Sequence, residues 1–269
     1  GRLSAGIRQA CWSGPQEQIS PGMAVAVSMK IRLDKYLADM GLGTRSQIKK
    51  DIRGGQVTVN GLITCRPELK IDTELDKVIF QGVPVTYEEY EYYMLNKPTG
   101  VISAANDSRE TTVVDLIRDR KRDDLFPVGR LDKDTEGLLI ITNNGELAHR
   151  LLSPKKHVDK IYFAKVNGRV TQGDVDTFSR GVDIGDEKPT LPSELFICSS
   201  DEISEIRLTI REGRFHQVKR MFQAVGKEVV YLKRLQMGPI SLDDSLKPGE
   251  YRRLTEEEVE KLCSQERKL

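Results

Sequence analysis

The sequence contains few of the residues that build metal centres and disulfide frameworks. Four cysteines occur in 269 residues, scattered without paired spacing: Cys11, Cys65, Cys198 and Cys263. The three histidines each lack a second ligand at metal-binding spacing: His149, His157 and His216. These absences argue against a zinc site, a disulfide scaffold and metal catalysis, and they favour a reducing compartment such as the cytoplasm.

Long apolar runs and a strong net charge are also absent. The apolar run 23–27 is too short for the core of a signal peptide. Charged residues make up 31% and hydrophobic residues 38% of the chain, as is ordinary for a globular protein. We therefore expect no membrane association. The net charge of +1 argues against a uniformly basic nucleic-acid binder.

Charge is nevertheless segregated along the chain. Between residues 30 and 53 the cations outnumber the acids Asp34, Asp39 and Asp51. They are Lys30, Arg32, Lys35, Arg45, Lys49, Lys50 and Arg53. This local excess is a candidate phosphate-binding face, with a merely solvated helix face as the alternative.

Residues 1–28 differ from the rest because they mix Gly, Pro, Ser and Gln without periodicity. We expect a disordered leader, which is either a native extension or an added one. After it, apolar spacing predicts a helix from Arg32 and a second helix after Thr44. Asn60-Gly61 and Gln81-Gly82 then predict two hairpins.

The segment 87–91 is acidic and is the expected linker to a second domain, 92–269. Alternating patterns there predict more strands than helices, and hence an α+β domain with a mainly antiparallel mixed sheet and a central cleft. Predicted strands are 92–95, 138–142, 160–166, 193–198, 205–210 and 229–235. Predicted helices are 112–117, 146–152, 171–181, 215–225 and one capped by Thr255 and Glu258.

The stretch from Gly129 to Thr142 joins a dense charged loop to a continuous apolar strand. The loop holds Arg130, Asp132 and Asp134 between two glycines. Loops carried by a rigid strand often hold catalytic groups. A solvated loop that neutralises its own charges is the alternative from charge pattern alone.

Four blocks of the chain, in order between residues 92 and 258, resemble the motifs of the ribosomal RNA pseudouridine synthases. They are Leu95-Asn96-Lys97-Pro98-Thr99-Gly100-Val101, the Gly129-Arg130-Leu131-Asp132 loop, Lys160-Ile161-Tyr162, and Glu212-Gly213-Arg214-Phe215-His216-Gln217-Val218-Lys219-Arg220-Met221-Phe222. Residues 29–86 resemble an S4-type RNA-binding domain, through Arg32-Leu33-Asp34-Lys35-Tyr36-Leu37 and Val57-Thr58-Val59-Asn60-Gly61.

The resemblance implies an isomerase that needs neither cofactor nor metal. Its nucleophile would be the Asp132 carboxylate, ionised and paired with the Lys219 ammonium. Many relatives carry Arg at the position of Lys219, and a surface lysine beside Arg220 is the alternative. Tyr162 would face the uracil and take part in proton transfer, unless it is an ordinary core aromatic.

The remaining implied roles concern RNA. Arg130 would enter the space left by the flipped base or hold a phosphate, and its alternative is a salt bridge to Asp134 or Glu136. Leu235 would form an apolar wall of the uracil pocket, unless it is a plain core leucine. Further expected RNA contacts are Arg214, Arg220, Arg32, Lys35, Arg45, Lys49 and Arg53. Hydrogen bonding at a helix start is expected of His216 and Gln217.

The expected partner is ribosomal RNA or a pre-ribosomal particle, bound by a monomer. The block 212–222, which resembles the family's third motif, and the ending 247–255 favour small-subunit over large-subunit RNA. A non-catalytic ribosome-binding factor would not need Asp132, Tyr162 and Lys219 together. A glycoside hydrolase would need two carboxylates across a sugar bond, which Asp132 and Asp134 on one loop supply poorly.

Overall fold

The computed structural model describes residues 29–264, so the predicted leader 1–28 lies outside the described residues. The first domain contains two helices and six short strands. These are β1 (Lys30–Arg32), α1 (Leu33–Asp39), α2 (Arg45–Arg53), β2 (Val57–Val59), β3 (Leu62–Ile63), β4 (Lys70–Asp72), β5 (Val78–Phe80) and β6 (Val83–Val85). Strands β3, β2, β5 and β6 form one sheet in that order, and β1 pairs with β4.

Local sequence signals account for most of this domain. The Thr44 side chain caps α2 by accepting from the Gln47 N–H at 3.3 Å. Asn60 (φ 52°) and Gly61 (φ 82°) adopt the left-handed conformations that a tight hairpin requires. The two helices bury one shared core, which includes Leu33 and Ile48. Strands β1 and β4 were not predicted, since they are short and, unlike β2, β5 and β6, are not joined by a hairpin turn that the sequence marks.

The segment between the domains is anchored at both ends. The Tyr87 hydroxyl donates to Asp39 of α1 at 3.0 Å. Glu91 is fully buried and accepts from the N–H groups of Lys121 (3.1 Å) and Arg122 (3.0 Å). Glu91 also pairs with Arg253 at 2.6 Å. The acidic residues predicted as a linker therefore include a buried carboxylate that belongs to the second domain.

The second domain is built on a nine-stranded sheet. Its elements are β7 (Tyr92–Lys97), β8 (Phe126–Pro127), β9 (Glu136–Thr142), α3 (Gly145–Leu152), β10 (Lys160–Asn167), α4 (Gln172–Arg180), β11 (Glu194–Ser199), β12 (Ile203–Ile210), α5 (Gln217–Ala224), β13 (Glu228–Met237), β14 (Ile240–Ser241), β15 (Tyr251–Arg253) and α6 (Glu256–Ser264). The main strand order is β11-β12-β10-β13-β9-β7-β15, with β14 on β13 and β8 on β9.

This sheet consists of two antiparallel halves that meet at one parallel pair, β9 with β13. Alternate residues of β9 enter different cores: Leu139 and Ile141 lie in one cluster, and Leu138 and Ile140 in another. Helices α4 and α5 cover the first face, and α3 and α6 cover the second. The predicted α+β class and mainly antiparallel sheet are confirmed.

The predicted helix over 112–117 is wrong, because this segment is a series of turns. The expected cap is present, since the Thr112 N–H donates to the Asp115 carboxylate at 2.8 Å. The carbonyl oxygens of Val114 and Ile117, however, accept from the Arg120 guanidinium at 3.2 and 2.9 Å. A side chain thus takes the acceptors that a continuing helix would need.

The other predicted helices are confirmed, with α5 beginning two residues later than expected. His216 precedes it in the left-handed conformation (φ 48°, ψ 32°), which cannot be part of the helix. Helix α4 has the predicted capping box, formed by Thr171 and Asp174. Among residues 29–264, no helix is long and apolar enough to cross a membrane.

Candidate active site

The loop that carries Asp132 lies where the two halves of the sheet meet. It runs directly into β9, whose residues Glu136 and Gly137 pair with Lys233 and Arg234 of β13. A Cβ on Gly137 would lie 2.2 Å from the Arg234 carbonyl oxygen, and its φ is +104°. Only glycine allows this approach of the two backbones, so Gly137 sets the distance between the loop that carries Asp132 and β13.

A buried lysine supports the loop from below. Lys97, at the end of β7, is fully buried. Its ammonium lies within hydrogen-bond distance of four carbonyl oxygens: Pro98 (3.0 Å), Asp132 (3.0 Å), Lys133 (3.3 Å) and Thr135 (2.9 Å). Three of these belong to the loop before β9, so Lys97 holds the loop backbone from Asp132 to Thr135.

Burial lowers the pKa of Lys97 to about 8, while the nearby carboxylates of Asp134, Asp132 and Glu136 oppose this shift. The sequence analysis included Lys97 in the first motif but assigned it no role. Its burial cannot be read from neighbouring residues, because most of its acceptors lie some 35 residues further along the chain.

Two cationic or potentially cationic groups approach the Asp132 carboxylate from the third motif. Lys219 Nζ lies 3.4 Å from Asp132 Oδ2, and His216 Nε2 lies 3.5 Å from Asp132 Oδ1. The Asp132 side chain is 27% exposed, so it is partly desolvated yet open to a substrate. The predicted proximity of Asp132 and Lys219 is thus present, and the contact with His216 was missed.

Lys219 is shared between two carboxylates. It donates to both oxygens of Asp134, at 2.7 and 2.8 Å, and these distances are shorter than its distance to Asp132. This hydrogen bond lowers the pKa of Asp134. Asp134 is 71% exposed, so it competes for the ammonium from the solvent side of the loop. The Lys219 ammonium therefore lies beside Asp132 but makes its shorter hydrogen bonds to Asp134.

The parallel pairing explains why distant motifs meet here. The loop with Asp132 precedes β9, and α5 with Lys219 precedes β13. Because β9 and β13 run in the same direction, the segments before them lie at the same edge of the sheet. Helix α5 packs its apolar face, including Val218 and Met221, on the core below. The residues next to Lys219 therefore fix the position of α5, and the helix in turn places Lys219 beside the loop.

Tyr162 lies on β10 and is 7% exposed. It belongs to the apolar cluster that contains Leu131, the residue before Asp132, and Leu232 of β13. Its hydroxyl makes no hydrogen bond to any residue of the described chain, 29–264. The Tyr162 ring therefore packs in the part of the core that borders the loop, and its hydroxyl is left without a hydrogen-bond partner among the described residues.

Leu235 lies at an irregularity in the pairing of β13 with β10. The register of β10 with β13 skips Leu235, because Tyr162 pairs with Arg234 and Ile161 pairs with Gln236. Leu235 is half-buried at this bulge and is not a member of the cluster around Tyr162. Leu232, on the same cluster, is the apolar neighbour that the sequence analysis missed, although strict alternation along β13 could have indicated it.

Two further buried cations flank Tyr162. Arg234 Nε donates to the Leu138 carbonyl oxygen at 2.8 Å, and its Nη2 has no partner among the described residues. The Lys160 ammonium donates to the Val158 carbonyl oxygen at 3.2 Å. Burial lowers the pKa of Lys160 to about 8, and the charge of Arg234 adds to the effect. The buried side chains on either side of Tyr162 therefore carry positive charge.

The arginines expected to contact RNA differ in their availability. Arg130 is exposed and makes no ion pair with any residue in 29–264, so its alternative as a loop salt bridge is not observed. Arg214 and Arg220 both pair with Asp186. Their guanidinium groups also bond to backbone carbonyl oxygens of the 184–189 loop. These two side chains mainly hold that loop against the third motif.

Within the described chain, no group of three or more His, Cys, Asp and Glu side chains could hold a metal ion. The chemistry available at Asp132 is that of a carboxylate beside an ammonium and an imidazole. Such an arrangement can supply a nucleophile and stabilise its charge.

Comparisons with known proteins agree with this geometry. The model of the RNA pseudouridylate synthase family matches residues 91–224, and the S4 domain model matches residues 31–74. An uncharacterized RNA pseudouridine synthase of Bacillus subtilis is 49% identical over 85% of this chain and 97% of its own length. Ribosomal small subunit pseudouridine synthase A of Escherichia coli is 40% identical over 85% of this chain and 98% of its own length.

A solved structure extends the agreement to the fold. A crystal structure of a pseudouridylate synthase, 40% identical, matches 86% of this chain and 99% of its own with a TM-score of 0.61. The identity covers both the S4 segment and the domain that holds Asp132, Tyr162 and Lys219. The chain therefore belongs to the RNA pseudouridine synthase family, as an isomerase with an S4 domain before its catalytic domain.

Proposed function

We propose that this protein converts one uridine of small-subunit ribosomal RNA to pseudouridine. Relatives named ribosomal small subunit pseudouridine synthase A, from Vibrio vulnificus and Escherichia coli, are 41% and 40% identical over nearly their whole lengths. The likeness of residues 247–255 to that branch supports the same substrate class. The protein acts as a monomer in the cytoplasm, on ribosomal RNA or on a pre-ribosomal particle.

The observation that carries the proposal is the Asp132 carboxylate, 27% exposed, with Lys219 at 3.4 Å and His216 at 3.5 Å. The target base leaves its stack and enters the cleft, because its reacting atoms are inaccessible in a helix. Asp132 then bonds to C1′ of the ribose as the C1′–N1 bond breaks, and this ester bond breaks in turn when C5 of the turned uracil bonds to C1′. The adjacent ammonium stabilises the negative charge of this carboxylate.

The isomerisation itself needs no other reactant. The bond between C1′ and N1 breaks, the uracil turns within the cleft, and a bond forms between C1′ and C5. A proton leaves C5 and N1 gains one, so atoms and electrons balance. Tyr162 serves this step through its uncommitted hydroxyl and its ring, which packs beside the loop. Leu131 and Leu232 exclude water from the captive base.

RNA is held by groups outside this centre. Arg130 has an exposed guanidinium one residue from Leu131 and no protein partner within 29–264, which suits a contact with the displaced base or a phosphate. The first domain grips the phosphate backbone through its basic helices. Phosphate contacts give affinity and orientation, whereas the cleft selects the base.

The test is Asp132→Asn, assayed by single-turnover formation of pseudouridine in a small-subunit RNA fragment. Asn is nearly isosteric, so folding and RNA affinity should be retained. Loss of the nucleophile should reduce the rate by several powers of ten, more than about 5 kcal/mol in barrier. If the variant kept a few per cent of the wild-type rate, Asp132 would not be the nucleophile. Activity on large-subunit RNA only would contradict the substrate.

A further inference from the structure

The exposed ring of Phe215 lies near the Asp132 carboxylate, with the imidazole of His216 between them. Phe215 is 75% exposed, which is unusual for a large apolar side chain. Its ring stacks on the imidazole of His216, with centroids 3.7 Å apart and planes inclined by 20°. The same imidazole lies 3.5 Å from Asp132. One face of Phe215 is thus covered by His216, and the ring as a whole remains open to solvent beside the cleft.

The turn that carries this ring pair is held rigidly. Arg220 Nη1 donates to the Phe215 carbonyl oxygen at 3.1 Å, and the Arg220 N–H donates to that of His216 at 3.0 Å. The Arg214 guanidinium bonds to the Lys188 and Pro189 carbonyl oxygens at 2.6 and 2.8 Å. Both arginines also pair with Asp186. These bonds give the two arginines of the third motif a positioning role.

The backbone of the turn is also strained at His216. Its φ of 48° and ψ of 32° lie in the left-handed region, which is uncommon for residues with a side chain. Such conformations persist where the surroundings enforce them, and they concentrate at functional sites. Here the conformation brings the imidazole to Asp132 and at the same time places the Phe215 ring on it.

We propose that Phe215, backed by His216, is a stacking platform for the unpaired base next to the target uridine. The inference rests on the proposed function, because flipping one base removes the stacking partner of its neighbour. Aromatic side chains commonly stack unpaired RNA bases, and this interaction accepts any base. A preorganised ring forms such a contact with little loss of side-chain entropy.

The form of the surface favours a base over a protein side chain as the occupant. Phe215 is a single ring with one free face, and this matches the shape of one planar base. It adjoins Asp132 through His216, so whatever covers it lies beside the target nucleotide. The uncommitted guanidinium of Arg130, two residues before Asp132, adds a cation for the backbone of the same RNA.

The experiment compares Phe215→Ala, Phe215→Leu and Phe215→Trp in the full-length protein. The matched control is Phe196→Ala, since Phe196 is 66% exposed on β11 at the far edge of the same sheet. RNA affinity and single-turnover rates are measured on a small-subunit RNA fragment that contains the target uridine. Substrates with an abasic site 5′ or 3′ of that uridine are measured in parallel.

The platform predicts that Phe215→Ala weakens RNA binding about 10- to 100-fold, and that Phe215→Trp restores it whereas Phe215→Leu does not. Since Phe215 is uncharged, the dependence of affinity on salt should be unchanged. An abasic site on the stacked side should weaken wild-type binding similarly, and Phe215→Ala should then add little. The Phe196→Ala variant should match the wild type.

Equal affinities for Phe215→Ala and Phe196→Ala, with an active wild type, would overturn the platform and leave the proposed function intact. A defect of Phe215→Ala that appears only on an assembling particle, and not on the RNA fragment, would assign the ring to a protein contact instead. A wild type that forms no pseudouridine in any fragment would contradict the proposed function itself. Full recovery by Phe215→Leu would exclude aromatic stacking.

Discussion

The protein has two cation-rich regions, and they use their charge differently. Around the loop that carries Asp132, Lys97 and Lys219 are bound to protein oxygen atoms on several sides. On helix α2 of the S4 domain, Arg45, Lys50 and Arg53 are exposed and have no ion-pair partner among the described residues. A count of basic residues does not distinguish the two regions. Their bonding partners do, because the lysines at the loop hold protein atoms in place whereas these cations of α2 are free to bind RNA.

Helix α1 lies between these extremes. Arg32 donates to both carboxylate oxygens of Asp34, at 3.0 and 2.9 Å, and Lys35 pairs with Asp39. Lys49 of α2 also lies 3.8 Å from Asp34. These pairs are partly exposed and therefore weak, so RNA phosphates can compete for the cations. We nevertheless expect the unpaired cations of α2 to contribute more to RNA affinity.

The largest expected difference within the catalytic region is between Lys219→Met and Asp134→Asn. Lys219→Met removes the ammonium from Asp132 and should reduce the single-turnover rate by about 10²- to 10³-fold, as loss of one electrostatic stabiliser typically does. Asp134→Asn frees the same ammonium for Asp132, so its rate should stay within about 10-fold of wild type. RNA affinity, measured alongside, should change little in either variant. Equal losses would show that Asp134, too, takes part in the reaction.

The buried cation below the loop should matter for stability. Lys97→Met removes the ammonium from four carbonyl oxygens, of which those of Asp132 and Lys133 keep a backbone N–H donor, so the free energy of unfolding at pH 7 should fall by about 2 to 3 kcal/mol. Denaturant titration of wild type and variant measures this difference. The matched control is Lys133→Met, since Lys133 lies on the same loop but its side chain is 56% exposed. A loss of similar size in the control would assign the effect to the loop rather than to the buried ammonium.

The same residue gives a pH dependence with a definite sign. Burial lowers the pKa of Lys97 in the folded protein from 10.5 to about 8. Between these values the unfolded chain holds the proton that the folded protein has released. The stability of wild type relative to Lys97→Met should therefore rise with pH, by at most about 1.4 kcal/mol per unit. Parallel stability curves from pH 8 to pH 10 would mean that Lys97 stays charged throughout this range.

The smallest effects are expected on the S4 domain. Replacing Arg45 and Arg53 by Ala should reduce the slope of log affinity against log salt by about 1 for each residue. Replacing Arg32 and Lys35 should reduce it less, because these cations already have carboxylate partners. RNA titrations at several salt concentrations measure both slopes. If the paired cations changed the slope as much as the free ones, RNA would displace their intramolecular partners.

Much of the fold was predictable because its signals are local. The turn residues Asn60-Gly61 and the capping box of Thr171 with Asp174 specify structure within a few residues. The segment 112–117 has the same kind of cap, yet Arg120 takes the carbonyl oxygens that a helix would use. Whether a capped segment becomes a helix can therefore depend on a side chain outside that segment. The periodicity of the segment itself does not show this.

The site was predictable only in part, and for a related reason. Motif resemblance selected Asp132, Tyr162 and Lys219, whose side chains or clusters meet at the loop. The resemblance gave no role to Lys97 and treated His216 as a helix-start residue. The burial of Lys97 and the distance between His216 and Asp132 both depend on how the sheet is assembled, which local sequence patterns do not indicate. The role expected of Leu235 stays a prediction, and this residue lies at a bulge where the pairing of β13 with β10 is irregular.

The parallel pairing of β9 with β13 has a further consequence for the order in which the molecule forms. The half that contains β10, β11, β12 and β13 comes from one stretch of the chain, whereas Asp134 and Lys219 are 85 residues apart, and Tyr93 of β7 and Arg253 of β15 are 160 residues apart. Contacts of long sequence separation are slow to form, since chain closure must precede them. We expect the half with β10 to β13 to condense first and to join β9 at the Gly137 approach later. Refolding followed by activity should therefore lag behind refolding followed by backbone signals, with catalytic competence arising in the final kinetic phase.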